Sequence, residues 1–297
     1  MKSAPKPIGF VAGLCLVGML LGASVSAATA QPVEPVPGEA DLAKKLQNPV
    51  ANLISVPFQN NFDYGGGMLG HGSQYTVNIQ PVIPFKLSSD WNLITRTIVP
   101  ITQLTHIQPQ NVGGLGDIVQ SFFFSPAQPV GGLIVGIGPV FLYPTGSDDR
   151  ISANQWAAGP TAVLLKQTGP WTVGMLANHL QGFGGIGHNG QGGTTLAPSE
   201  FTAATTRDRS GRVSTTFLQP FASYTFPTYT TVSTSTEASY DWTGRQWIVP
   251  VTAGVSQLVK LGGQPFSVGL SGKYIPVQPV GAPAWGMRLT FTLLFPT

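Results

Sequence analysis

The stretch Trp285-Gly286-Met287-Arg288-Leu289-Thr290-Phe291-Thr292-Leu293-Leu294-Phe295 decides how the rest of the chain is read. Taken at period two, Trp285, Met287, Leu289, Phe291, Leu293 and Phe295 fall on one side. Gly286, Arg288, Thr290, Thr292 and Leu294 fall on the other. Successive side chains of a β-strand point to opposite faces, so a strand sorts this pattern where a helix would scatter it. The length also suits a tilted strand crossing a bilayer, which needs about 9–11 residues. One face is a row of large apolar groups that lipid would accept; the other is small or polar and carries an arginine at mid-strand.

The same division recurs upstream. Val232, Ala238, Tyr240 and Trp242 oppose Ser233, Ser235, Glu237, Ser239 and Asp241, and Phe266, Val268, Leu270 and Tyr274 oppose Ser267, Gly269, Ser271 and Lys273. Trp247, Val249, Val251, Ala253 and Val255 stand less cleanly against Ile248, Pro250, Thr252, Gly254 and Ser256. Working outward, twelve strand-like segments follow: 53–62, 75–85, 91–102, 116–125, 133–142, 156–167, 171–182, 213–226, 230–242, 247–259, 266–275 and 285–295. The connections alternate in length. Those at 87–90, 126–132, 168–170, 227–229 and 261–264 are short. Those at 63–74, 103–115, 143–155, 183–212 and 276–284 are longer, with 243–246 the exception. An even strand number with short periplasmic turns and long external loops is expected of an outer-membrane barrel and not of a secreted β-sandwich. Trp91 and Trp171 then open strands at the periplasmic rim, while Trp156, Trp242, Trp247 and Trp285 stand at the outer rim. Indoles favour the headgroup level of both membrane faces.

Composition agrees. Charged residues are 9% of 297, against about 25% in ordinary soluble domains, and Gly 37 and Pro 26 are abundant. Past the N-terminus no apolar stretch reaches the length of a spanning helix. A closed barrel is then the way to satisfy backbone N–H and C=O groups in lipid. Against this stand Pro81, Pro100, Pro139, Pro160, Pro220 and Pro250, which lie inside or at the edge of proposed strands although proline donates nothing to a ladder.

Residues 1–30 read as a signal peptide: Lys2 and Lys6 form a basic start, an apolar core follows, and Ala28-Thr29-Ala30 offers a small-residue cleavage site. Cys15, the only cysteine, lies in that core, so the mature chain has no disulfide and no thiolate site. Removing the two lysines takes the formal charge from +3 to about +1, with no basic block suited to nucleic acid. Residues 31–52 are expected to be a periplasmic linker, Pro-rich at first and then able to form a short helix over 40–46. Residues 53–297 form the barrel.

Several blocks resemble a known family. Gln47-Asn48-Pro49-Val50-Ala51-Asn52-Leu53-Ile54-Ser55-Val56-Pro57-Phe58-Gln59-Asn60-Asn61 and Asn78-Ile79-Gln80-Pro81-Val82-Ile83-Pro84-Phe85 are two of them. Asp90-Trp91-Asn92-Leu93-Ile94-Thr95-Arg96-Thr97-Ile98-Val99-Pro100, Gly114-Leu115-Gly116-Asp117-Ile118 and Gly138-Pro139-Val140-Phe141 are others. Together they resemble the bacterial outer-membrane proteins grouped as phenol-degradation MetA-pathway proteins, some labelled neuromedin U. The resemblance implies a barrel that transports small organic or aromatic compounds, and it supplies no catalytic residues.

The charges Arg96, Glu237, Lys273 and Arg288 fall on polar strand faces. On the lipid side each would cost roughly 2–4 kcal/mol near the midplane, so the lumen is where they are expected. There they either tune solute selectivity, as charged rings do in channels, or form an internal salt-bridge network. The histidines His71, His106, His179 and His188 lack zinc-site spacing, and the Gly-rich run 182–193 has no following helix to make a phosphate cradle. No catalytic, cofactor or metal residues are assigned. The sequence thus points to a non-enzymatic channel or transporter in the Gram-negative outer membrane, with lipid and a small solute as partners. An outer-membrane lipase or esterase using His179 and a structural or adhesive barrel are the alternatives, and the oligomeric state is open.

Overall fold

The computed structural model describes residues 38–107, 110–185 and 212–295. The region read as a signal peptide and the Gly-rich run around His188 lie outside them. One helix, α1 (Glu39–Leu46), precedes fifteen strands: β1 (Ile54–Gly66), β2 (Gly72–Ile79), β3 (Val82–Lys86), β4 (Trp91–Thr105), β5 (Val112–Leu115), β6 (Ile118–Pro126), β7 (Ile134–Tyr143) and β8 (Gln155–Thr168). They continue as β9 (Trp171–Gly185), β10 (Ser214–Thr225), β11 (Thr230–Thr236), β12 (Ala238–Asp241), β13 (Gln246–Leu261), β14 (Gln264–Val277) and β15 (Trp285–Phe295). Neighbours in sequence pair antiparallel, and β15 returns to β1 with Ile54 opposite Phe295, so the sheet closes on itself. The pairs β2/β3, β5/β6 and β11/β12 are halves of interrupted staves. The described residues therefore form a closed barrel of twelve staves.

The three interruptions share one device, which accounts for two of the awkward prolines, Pro100 and Pro250, and applies to Pro57 as well. Where β2 gives way to β3, Gln80 N–H donates to the Pro57 carbonyl at 2.9 Å. Between β5 and β6, Gly116 N–H donates to the Pro100 carbonyl at 2.8 Å, and between β11 and β12, Glu237 N–H donates to the Pro250 carbonyl at 2.9 Å. Proline cannot donate, so the facing strand bulges and supplies its own N–H to the proline's carbonyl. Pro139 and Pro160 differ in lying opposite each other in register across β7 and β8.

The short connections are tight turns. Leu261-Gly262-Gly263-Gln264 places both glycines at positive φ, 58° and 86°, as a two-residue turn matched to strand twist requires. All six tryptophans are between 40% and 57% exposed, each at or next to a strand end. Several join other aromatics: Tyr64 with Trp285, Tyr143 with Trp156, and Tyr240 with Trp242 and Trp247 at one rim, Trp171 with Tyr224 at the other. Such outward rings at both rims are the aromatic girdles of a bilayer-spanning barrel. None of the described helices is long and apolar enough to cross a membrane.

The interior has two unlike halves. On the inner side of β4 to β10, Ile94, Phe123, Val140, Leu165, Leu176 and Phe217 belong to one packed apolar cluster. Around β11 to β15, β1 and β2 the inward residues are mostly polar, including Asn61, Asp63, Thr76, Thr252, Lys273 and Arg288, all buried. Of the segment read as a periplasmic linker, the described residues from 39 on pack against the barrel. Leu42 and Ala43 of α1 pack with Leu53, Tyr229, Leu258 and Leu294, while Val50 joins the opposite apolar cluster. Gln167 Nε2 donates to the Lys44 carbonyl at 3.0 Å, and Lys260 pairs with Glu39 at 2.6 Å. Residues 39–53 thus reach from one interior wall to the other at the end of the barrel where β1 begins and β15 ends.

Candidate functional site in the barrel interior

Three of the four charges singled out in the sequence come together. Arg288, inward from β15, lies opposite Ser271 in register, and Lys273 lies opposite Gly286. Arg288 Nη1 and Nη2 donate to Glu237 Oε1 and Oε2 at 2.7 and 2.9 Å, a bidentate fork, and its Nε donates to Asn61 Oδ1 at 2.7 Å. Lys273 Nζ donates to Asp63 Oδ1 and Oδ2 at 2.9 and 3.2 Å and to Asn61 Oδ1 at 3.3 Å. Asn61 therefore accepts from both cations and links the pairs. The side chains of Lys273 and Asp63 are wholly buried, and those of Arg288 and Glu237 are 7% and 2% exposed. Buried charges persist when each finds a partner of opposite sign and its hydrogen bonds are filled, which this cluster provides. Glu237 gets its position from the break between β11 and β12.

Arg96 belongs to a different set. It extends inward from β4, and its Nη2 donates to Gln80 Oε1 at 2.8 Å, while Gln80 Nε2 donates to Gln59 Oε1 at 3.0 Å. This relay borders a chamber of about 310 Å³ between the wall and residues 45–53. Its lining combines hydroxyls from β10 to β15, Ser223, Ser235, Thr252, Ser267 and Thr290 among them, with the apolar groups of Leu46, Pro49, Val82 and Phe221.

At the other end, the β7–β8 connection folds inward over Asp117. Asp117 Oδ1 accepts from Gly146 N at 3.0 Å and Ser152 Oγ at 2.7 Å, and its Oδ2 accepts from Ala153 N at 2.5 Å. These bonds bring Ile151 against Leu104 and Val112, and Ala153 against the large apolar cluster. Beyond it Arg150 Nε and Nη2 hold Asp148 at 2.8 and 2.7 Å, which lowers the Asp148 carboxyl to about 2.

Sequence reasoning missed Asp63, Asn61 and Asp117. The signal for the first two was present: Gln59, Asn61 and Asp63 alternate with Phe58, Asn60, Phe62 and Tyr64, which extends β1 past Phe62 where a loop was expected to begin. Asp117 gave no periodic signal because it sits in an interruption.

His179 faces outward from β9, its Nδ1 2.9 Å from Thr216 Oγ1, and Trp242 Nε1 donates to the same oxygen at 2.8 Å. Among the described residues no carboxylate orients this ring, as a nucleophile–base pair would require. The described residues also hold no cluster able to bind a metal ion.

No protein-family model and no curated protein matches the chain. Solved structures do. An outer membrane channel of the COG4313 group from Pseudomonas putida F1 superposes with TM-score 0.58 at 13% identity, over 82% of this chain and 94% of that one. The fold is that of Gram-negative outer-membrane barrels. NanC porin follows with TM-score 0.49 at 11% identity, over 81% and 98%. An active-site variant of outer membrane phospholipase A from Escherichia coli gives 0.44 at 10%, over 87% and 98%. At such identities the likeness concerns fold alone, and the resemblance to phenol-degradation proteins rests on the sequence blocks quoted above.

Proposed function

We propose that this barrel passes small organic solutes with substantial apolar surface, aromatic compounds included, across the outer membrane, and that it does so without catalysis. The observation that carries the reading is the divided interior. A water-filled porin has a polar lumen with solvated charge. Here half of the inner wall is apolar, the charges near the outer end are locked in pairs, and the open chamber mixes apolar groups with hydroxyls. A pocket that offers apolar surface together with convergent hydroxyls and amides suits an organic molecule better than a hydrated ion. Catalysis would need a base, a nucleophile and an orienting group within reach, and the outward His179–Thr216 pair supplies two of these at most. A structural or adhesive barrel would have no use for such a chamber.

The test is entry of the hydrophobic dye 1-N-phenylnaphthylamine into cells with intact lipopolysaccharide. Cells producing the protein should take it up several-fold faster than cells producing an unrelated barrel at equal abundance. Equal rates, with the protein folded in the outer membrane, would contradict the proposal.

A further inference from the structure

The geometry points to residues 144–154 as a lid over the outer end of the interior, with Asp117 as its latch. The inference rests on the reading of the interior as a solute route and adds a device that controls entry to it.

The bonds that seat this connection converge on one carboxylate. Asp117 is buried in the break between β5 and β6, and it accepts from Gly146 N, near the start of the connection, and from Ser152 Oγ and Ala153 N, near its end. A carboxylate holds such donors more firmly than a neutral acceptor would. The same break supplies further anchors: Ser147 N–H donates to the Leu115 carbonyl at 2.8 Å, and the Thr145 hydroxyl donates to the Gly116 carbonyl at 3.1 Å. The connection is also tied to itself. Arg150 grips Asp148, and Asn154 Nδ2 donates to Asp149 Oδ1 at 2.8 Å, so the segment can leave its seat as one body. Its position is across the interior wall. The connection joins β7 to β8, yet Ile151 reaches Leu104 on β4 and Val112 on β5, and Ala153 enters the large apolar cluster. Removing the Asp117 carboxylate leaves three donors without their acceptor, and a raised lid regains partners for them in water.

The experiment combines a thiol label with dye entry in intact cells. Ala153 is 3% exposed, so a membrane-impermeant maleimide should react slowly with the Ala153→Cys variant. Adding Asp117→Ala should raise that rate about tenfold or more, as loss of charge-assisted bonds allows. Entry of 1-N-phenylnaphthylamine should rise several-fold in Asp117→Ala alone, with Asp117→Asn intermediate because it keeps one acceptor oxygen. Ile151→Asp sets a charge against Leu104 and Val112 and leaves the latch intact; it should act in the same direction and covers the case in which Asp117→Ala fails to fold. Equal labelling with and without Asp117 and with Ile151→Asp would overturn the inference. Faster labelling with dye entry present but no greater than in the wild type would also overturn it, because the lid would then stand off the route. Faster labelling with no dye entry in any variant would remove the passage reading and keep the latch.

Discussion

Arg288 and Leu289 are neighbours in sequence with opposite surroundings. Arg288 is buried against Glu237 and Asn61, whereas Leu289 is on the outward side with Met287 and Phe291. Leu289→Arg should lower barrel stability by up to about 4 kcal/mol, because it sets a cation against hydrocarbon. Arg288→Glu should be at least as damaging, about 3–5 kcal/mol, because it leaves Glu237 buried beside a like charge. Adding Glu237→Arg should recover part of the second loss and none of the first, as measured by denaturant unfolding in lipid vesicles. Recovery of both, or of neither, would mean that the register is wrong. Asp148 makes a pH prediction outside the membrane. Its folded value lies below the ordinary 3.8, so the pairing with Arg150 contributes in full above that value and is lost as pH falls through about 2. The carboxyl resonance of Asp148 should titrate near 2 and return toward 3.8 in Arg150→Gln, with no change between pH 5 and 8. At this scale the sequence was legible wherever one face was polar: the alternation identified Glu237, Lys273 and Arg288. It could not show that Asn61 joins their pairs, because that contact spans 227 positions of chain.

α1 shows what an element's own sequence can and cannot convey. Acidic Glu39 and Asp41 in its first turn and Lys44 and Lys45 in its last favour a helix, since they complement the helix dipole. Nothing in those eight residues says that Leu42 and Ala43 meet Tyr229 and Leu258 inside the barrel. Leu42→Asp should release the helix while leaving the barrel closed, because α1 is tied otherwise by the Lys260–Glu39 pair and a single bond from Gln167. A spin label at Lys45 should then report fast motion, and an unchanged spectrum would show that the backbone around Pro49 and Val50 holds the segment by itself. The prolines carry the complementary lesson. In sequence several were an objection to a barrel; in the structure two of those, Pro100 and Pro250, each receive an N–H from a facing interruption, as Pro57 does, a relation visible only once strands are paired.

For the whole molecule, the alternation of loop lengths and the tryptophans at strand ends were enough to give twelve staves and two rims. The division of the interior was not legible. Period two fades when both faces of a strand are apolar, and Val119, Phe123, Val140, Val163 and Leu165 face inward from strands that are also apolar outside. That hidden apolar half distinguishes this interior from a uniformly polar lumen, and the proposed passage has to run past it and past residues 39–53. Single-channel recording on folded, heat-modifiable protein tests this most directly. The full chain should give small or infrequent conductance steps, and deletion of residues 39–50 should give steps several-fold larger. Equal conductance with and without that segment, or silence in both with the barrel folded in the bilayer, would contradict it.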